Sequence, residues 1–400
     1  MTRRTTAYIN LTAIRENLTQ LKAFSPSSKT IAVVKANAYG NGAIAVSKHI
    51  DSDIDMFAVA ILSEAHELRA AGITSPILVL QGPHEQSELA STFSHDLHWI
   101  IHNETQLAWL NETRDAPIAY AKRLWLKFDS GMHRLGFAIE DFDRILSENS
   151  QWISKDTIIA THLACADEND PSHTNKQLSA FLQAVEKSGL GLSIANSAGA
   201  IAHESARQQY NRLGIALYGS SPFNLDNRQV TLAPVMTLRS TIIALRNIPA
   251  GDTVGYGGIW RAKRPSVIAT IALGYADGYP RHAPIGTPAI CRGQRILLVG
   301  RVSMDMLTFD VTDLESVALN DEVELWGQQL PINEVADFVD TIGYELMTRV
   351  SGRVPRQYIQ TEGSAMRDTA LRTELDTTPD ATTNTMIDKV PSNKEQPTSD

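Results

Sequence analysis

Eight short apolar runs in series, between Ser28 and about Tyr218, constrain this chain more than any other feature. They read "TIAVVK" (30–35), "MFAVA" (56–60), "PILVL" (76–80), "LHWII" (97–101), "RLWLKF" (123–128), "TIIATHL" (157–163), "GLSIA" (191–195) and "RLGIALYG" (212–219). Between them lie stretches of helical period such as "SEAHELRAAG" and "NETQLAWLNET". Several open on Ser or Asn, whose side chains cap the first helical N–H groups. Strands alternating with helices, without a hairpin signal, predict a parallel sheet wrapped by helices; eight of them predict an α/β fold of the (β/α)8 TIM-like barrel type. A doubly wound open sheet would give the same pattern from fewer strands.

The texture changes after about residue 230. "APVMTLRSTIIALRNI", "SVIATIALG", "AICRGQRILLVGRV", "DMLTFDVTD" and "DEVELWG" are β-rich runs broken by Gly, Pro and Asp turns. They predict a second, mostly-β domain. The expected organisation is an N-terminal strand over residues 1–10 joining the β domain, a barrel over 11–230, the β domain over 231–362 and an unfolded tail over 363–400. That tail has no aromatic residue and is rich in Thr, Asp, Ser and Pro, too little apolar surface to offset the entropy of ordering.

Composition excludes several classes. A net charge of -9 argues against a nucleic-acid or anionic-membrane binder, which needs basic surface. The two cysteines, Cys165 and Cys291, lack CxxC spacing, so no disulfide scaffold or zinc site is expected. The start, "MTRRTTAYINLTAIRENL", carries no apolar signal-peptide core, and no apolar run is long enough to cross a bilayer. A reducing, cytoplasmic setting is the expectation.

In a barrel of this type, function sits at the C-terminal ends of the strands. Lys35 follows the first run, His162 lies near the end of the sixth, and Asn196 and Ser197 follow the seventh. Arg212 opens the eighth, and Arg134 follows the fifth in "DSGMHRLG". A partly desolvated lysine at a strand tip loses its proton cheaply and can form a Schiff base with an aldehyde. Taken singly, such a lysine more often just reaches solvent, and the arginines are equally well read as rim ion pairs. "ANSAGA" and "LGIALYG" could cradle a phosphate after the last two strands. "VGYGG" (254–258), "LGYADGYP" (273–280) and "GRVSMDM" (300–306) read as loops in the β domain. "HLACADEND" lacks metal-ligand spacing and reads as a polar loop.

Together these residues resemble the alanine racemases, enzymes dependent on pyridoxal phosphate. "AVVKANAYGNG" resembles their cofactor-lysine signature. The match continues in order through "LKFDSGMHRLG", "THLACADE", "ANSAGA", "RLGIALYG", "VGYGG", "LGYADGYP", "GRVSMDM" and "GRVPR". It covers about residues 5 to 360. Barrel decarboxylases carry a similar "AVKAN", but not the whole series.

The resemblance implies that Lys35 carries the cofactor and serves as acid and base on one face, with Tyr256 of another subunit as the base on the other face. Inverting a centre through a planar intermediate needs one base on each side. A phenol ordinarily ionises near pH 10, and the family assists its tyrosine with residues matching His162 and Arg212. Arg212 matches the arginine that faces the pyridine nitrogen. Arg134 matches the residue on the ring hydroxyl and the substrate carboxylate; Met304, Asp305 and Tyr275 match substrate-side positions. Tyr39, Asn196, Ser197, Gly214 and Ile215 match cofactor contacts, and Lys127 matches a lysine carbamylated in many members.

The implied protein is thus a homodimer with shared active sites, acting on a small amino acid and supplying D-alanine for peptidoglycan. The alternatives are a broader racemase taking serine or lysine, or a cofactor-binding protein without turnover. There are departures: Asn41 stands where a histidine is usual, Gly352 where some members carry a phosphate-binding tyrosine, and Ser303 where some carry cysteine.

Overall fold

The computed structural model describes residues 4–90, 95–112, 123–223 and 230–360. The expected tail, 363–400, lies outside the described residues.

The chain begins with β1 (Thr6–Asn10) and a helix, Leu11–Ala23, capped by the Asn10 side chain, which accepts from the Ala13 N–H at 3.2 Å. The parallel strands follow: β2 (Lys29–Val33), β3 (Met56–Val59), β4 (Ile77–Val79), β5 (Leu97–Ile101) and β6 (Leu124–Asp129). After a two-residue strand, β7 (Phe137–Ala138), come β8 (Ile158–Ala160), β9 (Gly191–Ser193) and β10 (Tyr210–Leu213). Their order is β10-β2-β3-β4-β5-β6-β8-β9, with β7 beside β6. The ends of that order meet where the Arg212 N–H donates to the Ala195 oxygen at 3.0 Å, just beyond β9. Eight parallel strands thus close a barrel. β3 and β4 are buried at every residue, as expected of parallel strands with a packed interior and an outer layer of helices.

The second sheet is antiparallel. It comprises β11 (Met236–Ile248), β14 (Ser266–Ile271), β15 (Pro288–Cys291), β16 (Gln294–Leu298), β17 (Leu307–Asp310) and β18 (Glu322–Trp326). β11 is thirteen residues long and pairs with β18 along its first part and β14 along its second, so these six strands close on themselves. Closure leaves few unpaired edges. β1 pairs with β11 and also with β19 (Arg356–Ile359). The N-terminal strand therefore lies in the second sheet, and the chain passes into the barrel and back. A short hairpin, β12 (Thr253–Val254) and β13 (Trp260–Arg261), stands apart with Tyr256 in its loop.

Two polar seams join the halves, one buried and one half-buried. Asn17 is fully buried and bonds Leu217 and Ala233 through both ends of its amide. Arg356 of β19 donates to the Gly40 oxygen at 3.1 Å and to three carbonyls of residues 350–354. Among the described residues, no helix is long and apolar enough to cross a membrane.

One expectation needs correcting. The run 212–219 was expected as the eighth strand, but β10 ends at Leu213, and Ile215–Tyr218 form a 3-10 turn. Gly214, at φ -119° and ψ -104°, breaks the strand, and the apolar residues after it are buried in the turn instead. A short apolar run cannot distinguish the two outcomes.

Candidate active site

β2 stops at Val33, so Lys35 is not on the strand but opens the turn after it. Ala36, Asn37, Ala38 and Tyr39 all have φ between 51° and 54°. Four consecutive L-residues in left-handed geometry cost about 1–2 kcal/mol each, so the turn must be held from outside. Asn41 donates to the Ala38 and Tyr39 oxygens, and Asn37 accepts from the Ala43 N–H. Gly40, at φ 83°, ends the turn against the backbone of Met347 and Thr348. Strain of this kind collects at functional sites.

The turn aims Lys35 into a cavity of about 690 Å³ at the C-terminal mouth of the barrel. Lys35, Tyr39, Lys127, Arg134, His162, Asn196, Ser197, Arg212, Gly214 and Ile215 all line it, so ten candidates from five stretches of sequence meet in one space. Among the described residues, none of the four lysines and arginines makes an ion pair. Burial lowers the Lys35 amine and Arg134 lowers it further, while Glu64 opposes them. Burial, followed by Arg212 and Arg134, brings Lys127 down to about 8. Burial and the same cations push His162 well below its ordinary value. The cavity therefore carries unbalanced positive charge and favours an anion.

Arg212 is fixed without a carboxylate. Its guanidinium donates to the Ser193, Thr161 and Ile194 carbonyls at 2.9, 2.7 and 3.0 Å and to the Ser193 hydroxyl at 2.6 Å. It also donates to His162 Nδ1 at 3.2 Å, which leaves the histidine proton on Nε2. Burial brings Arg212 down to about 10, so it stays a cation at neutral pH.

Two loops are braced by single side chains. Asp129 accepts from the N–H groups of Gly131, Met132 and His133, shaping the turn that carries Arg134. Burial acts to raise its carboxyl, but these bonds hold it below the usual range. Gln177 donates to the His162 oxygen and Ser130 Oγ and accepts from the Ala164 N–H, tying the His162 and Arg134 loops together. At the far end, Asn196 caps the helix Ser197–Ala202 through the Gly199 N–H at 2.8 Å, and Ser197 Oγ accepts from the Gly214 N–H at 2.8 Å. A Cβ at Gly214 would lie 2.6 Å from the Tyr39 hydroxyl, so the glycine permits that approach.

The remaining four candidates do not join them. Tyr256 is 71% exposed and Met304 53% exposed, both on the β domain. The Tyr275 and Ala276 N–H groups donate to the Ser303 and Met304 oxygens, so Tyr275, Met304 and Asp305 share one loop cluster. Asp305 is engaged by Arg353 at 2.7 Å. None of these lines the barrel cavity within one chain.

The sequence reading missed Tyr344. It comes from the β-domain helix Gly343–Arg349, lines the cavity, and packs its ring 5.9 Å from that of Tyr39. Burial and then Tyr39 raise its phenol. Nothing in "TIGYELMTR" marks it except an aromatic next to glycine; Gly352, by contrast, does not line the cavity.

The donor set fits pyridoxal phosphate: a depressed amine for the aldehyde, hydroxyls of Tyr39 and Ser197 beside backbone of Gly214 and Ile215, and an excess of cations for the phosphate and carboxylate charges. Comparisons agree. Residues 9–222 match the family model "Alanine racemase, N-terminal domain" and residues 235–358 match "Alanine racemase, C-terminal domain". The alanine racemase of Alteromonas mediterranea is 49% identical over 356 residues, 89% of this chain and 99% of that protein. Among solved structures, the biosynthetic alanine racemase of Pseudomonas aeruginosa superimposes with a TM-score of 0.85 at 41% identity, over 90% of this chain and all of that one. The alanine racemase of Bartonella henselae, solved with covalently bound pyridoxal phosphate, gives a TM-score of 0.79 at 29% identity, over 89% and 99% of the two chains.

Proposed function

The chain belongs to the alanine racemase family, and from that premise we propose how it interconverts L- and D-alanine. Lys35 would hold pyridoxal phosphate in the cavity, and protons would move at the substrate α-carbon from two sides. Bound pyridoxal phosphate supplies an electron-withdrawing ring that acidifies the α-hydrogen of an amino acid joined to it.

Lys35 Nζ exchanges the proton on one face. It must be neutral to accept, and its burial and Arg134 favour that form. The hydroxyl of Tyr256 from a second copy of the chain exchanges the proton on the other face, so loss on one side and gain on the other inverts the centre. His162 Nδ1 accepts from Arg212, and the pair lines the space where the phenol proton would be relayed. Arg212, a lasting cation in the cavity wall, would disfavour a proton on the ring nitrogen of the bound cofactor. Tyr39, Ser197, Gly214 and Ile215 would hold the phosphate, with Asn196 fixing the helix start beneath and the Tyr344 ring packed on Tyr39. Arg134 would take the substrate carboxylate, joined by the Met304 N–H of the second copy, with that copy's Asp305 and Tyr275 beside it.

Lys127 near pH 8 is partly neutral. Carbon dioxide adding to its amine, with release of one proton, gives a carbamate whose negative charge faces Arg134. The homodimer is supported by the exposure of Tyr256 and Met304 away from the cavity. D-alanine made here would serve peptidoglycan.

One observation carries this reading: a half-buried lysine in a barrel mouth lined by Lys127, Arg134 and Arg212, none of which makes an ion pair among the described residues. The test is loss of optical activity from L-alanine, with L-serine and L-lysine in parallel, using purified protein and pyridoxal phosphate. Fast turnover confined to alanine is expected. Comparable turnover of serine or lysine would overturn the specificity, and cofactor binding without racemisation would overturn the two-base assignment.

A further inference from the structure

We propose that Glu64 is a positioning residue for Lys35: its carboxylate grips the left-handed turn that aims the lysine into the cavity. The inference rests on the role given to Lys35 above. Glu64 lies near the start of the helix Leu62–Ala70 and is half-buried. One carboxylate oxygen accepts from the Ala36 N–H at 2.6 Å. The other accepts from the Ala60 N–H at 2.7 Å and the Ile61 N–H at 3.4 Å.

A glutamate at this helical position commonly serves the start of its own helix. Here the bond of that kind, to Ile61, is the longest of the three. The two short bonds go to the ends of adjacent barrel strands: Ala36 follows Lys35 beyond β2, and Ala60 follows β3. Bonds from a charged acceptor to backbone N–H are among the stronger ones. The other constraints on the turn lie later in it or within the segment itself: the Gly40 N–H to the Ala36 oxygen, the Gly42 N–H to the Asn37 oxygen, and the amides of Asn37 and Asn41. Glu64 therefore holds the first residue after the lysine, where a small rotation would swing the amine. It is also the carboxylate that opposes Arg134 and burial at the Lys35 amine, so geometry and charge act through one side chain.

The decisive variant is Glu64→Gln in the full-length chain. Glutamine has the same reach, but its single oxygen can satisfy only one of the two strand ends and its NH2 is set against the other donor. Three readouts apply. In the cofactor-free protein, amide hydrogen exchange over Ala36–Tyr39 should accelerate by about tenfold or more while the distant strands keep their protection. Competitive acetylation of Lys35, followed against pH by peptide mass, should shift to lower pH. In the loaded enzyme kcat should fall by about 10²-fold, as for a misplaced reacting group, with KM changed far less. Glu67→Gln, an exposed site on the same helix, should move none of these.

Unchanged exchange and acetylation in Glu64→Gln would overturn the proposal. So would even loosening of the whole barrel, the mark of a merely structural role. If the variant fails to fold, the wild type decides, because rapid exchange of the Ala36 or Ala60 amide there is equally fatal. A wild type that binds no pyridoxal phosphate would defeat the role of Lys35 but leave the exchange measurement readable.

Discussion

The barrel half and the β-domain half of the candidate site are built in opposite ways. In the barrel, Lys35, Lys127, His162 and Arg212 are buried or half-buried, and the scaffold braces them bond by bond: five donations from Arg212, three from or to Gln177, three to Asp129. In the β domain, Tyr256 and Met304 are large, apolar-bodied and exposed, Tyr256 in the loop of the separate hairpin and Met304 on a loop of the closed antiparallel sheet. The first half spends burial to depress amines and concentrate charge. The second offers a phenol and backbone groups with no cavity of their own. On the proposed function, a site divided in this way would become whole when a second surface is laid against the first, and symmetric pairing of two chains would do this twice at once.

The sharpest way to break that comparison is to inactivate each half separately and mix. Lys35→Ala should lower kcat by at least about 10⁴-fold, since it removes both the cofactor anchor and a proton carrier. Tyr256→Phe should lower it by about 10²- to 10⁴-fold while leaving cofactor binding unchanged. If the halves come from different chains, a one-to-one mixture of the two variants, unfolded and refolded together, regains about a quarter of the wild-type rate, because half the dimers are mixed and each holds one intact site. If the mixture stays as inactive as its parts, each site is built from one chain.

The same contrast governs how far the sequence could be read. Seven of the eight barrel runs coincide with strands because parallel, doubly buried strands leave continuous apolar runs. The eighth failed where "LGIALYG" hid a glycine break and a buried turn. Lys35 was legible as a residue near a strand end, but its turn was not: Ala36, Ala38 and Tyr39 have no tendency toward left-handed geometry, and only Asn37 does. That conformation is held locally by Asn41 and at long range by Glu64 and the neighbouring β-domain helix, and the long-range part has no signal in the local sequence. Tyr344 was invisible for the same reason, since its meaning comes from lying over Tyr39. Arg212 was named from its motif, yet its hold on four carbonyl and hydroxyl oxygens belongs to the barrel closure and to no local pattern.

A smaller effect tests the seam between the halves of one chain. Gly40 is at φ 83°, and a Cβ there would press on the Met347 backbone in the helix that carries Tyr344. Gly72 is at φ 88° with nothing within 4 Å. Gly72→Ala should cost about 1 kcal/mol of backbone strain alone. Gly40→Ala should cost about 2–4 kcal/mol, because the strain is joined by overpacking against backbone that cannot rotate away. Urea unfolding of the cofactor-free chains measures both. Equal costs would mean that the lysine turn and the β-domain helix are not close-packed, and the cavity's β-domain wall would lose its support.

The smallest expected effect concerns the charge stored in the barrel half. Lys127 titrates at about 8 in the folded chain, whereas an unfolded lysine titrates near 10.4. Between those values the unfolded chain binds more protons than the folded one, so this group makes stability rise with pH across that window. Below about pH 8 both states are charged, and the penalty of burying the ammonium among Arg212 and Arg134 is fully present. In carbon dioxide-free buffer, the thermal midpoint of the cofactor-free wild type should therefore climb relative to Lys127→Met between pH 8 and 10. Adding bicarbonate at pH 8 should raise the wild-type midpoint and leave Lys127→Met unmoved, because the carbamate replaces a repelled cation with an attracted anion. Parallel midpoint curves for the two chains would mean that the cations do not act on Lys127, and the barrel half would differ from the β-domain half in burial but not in electrostatic stress.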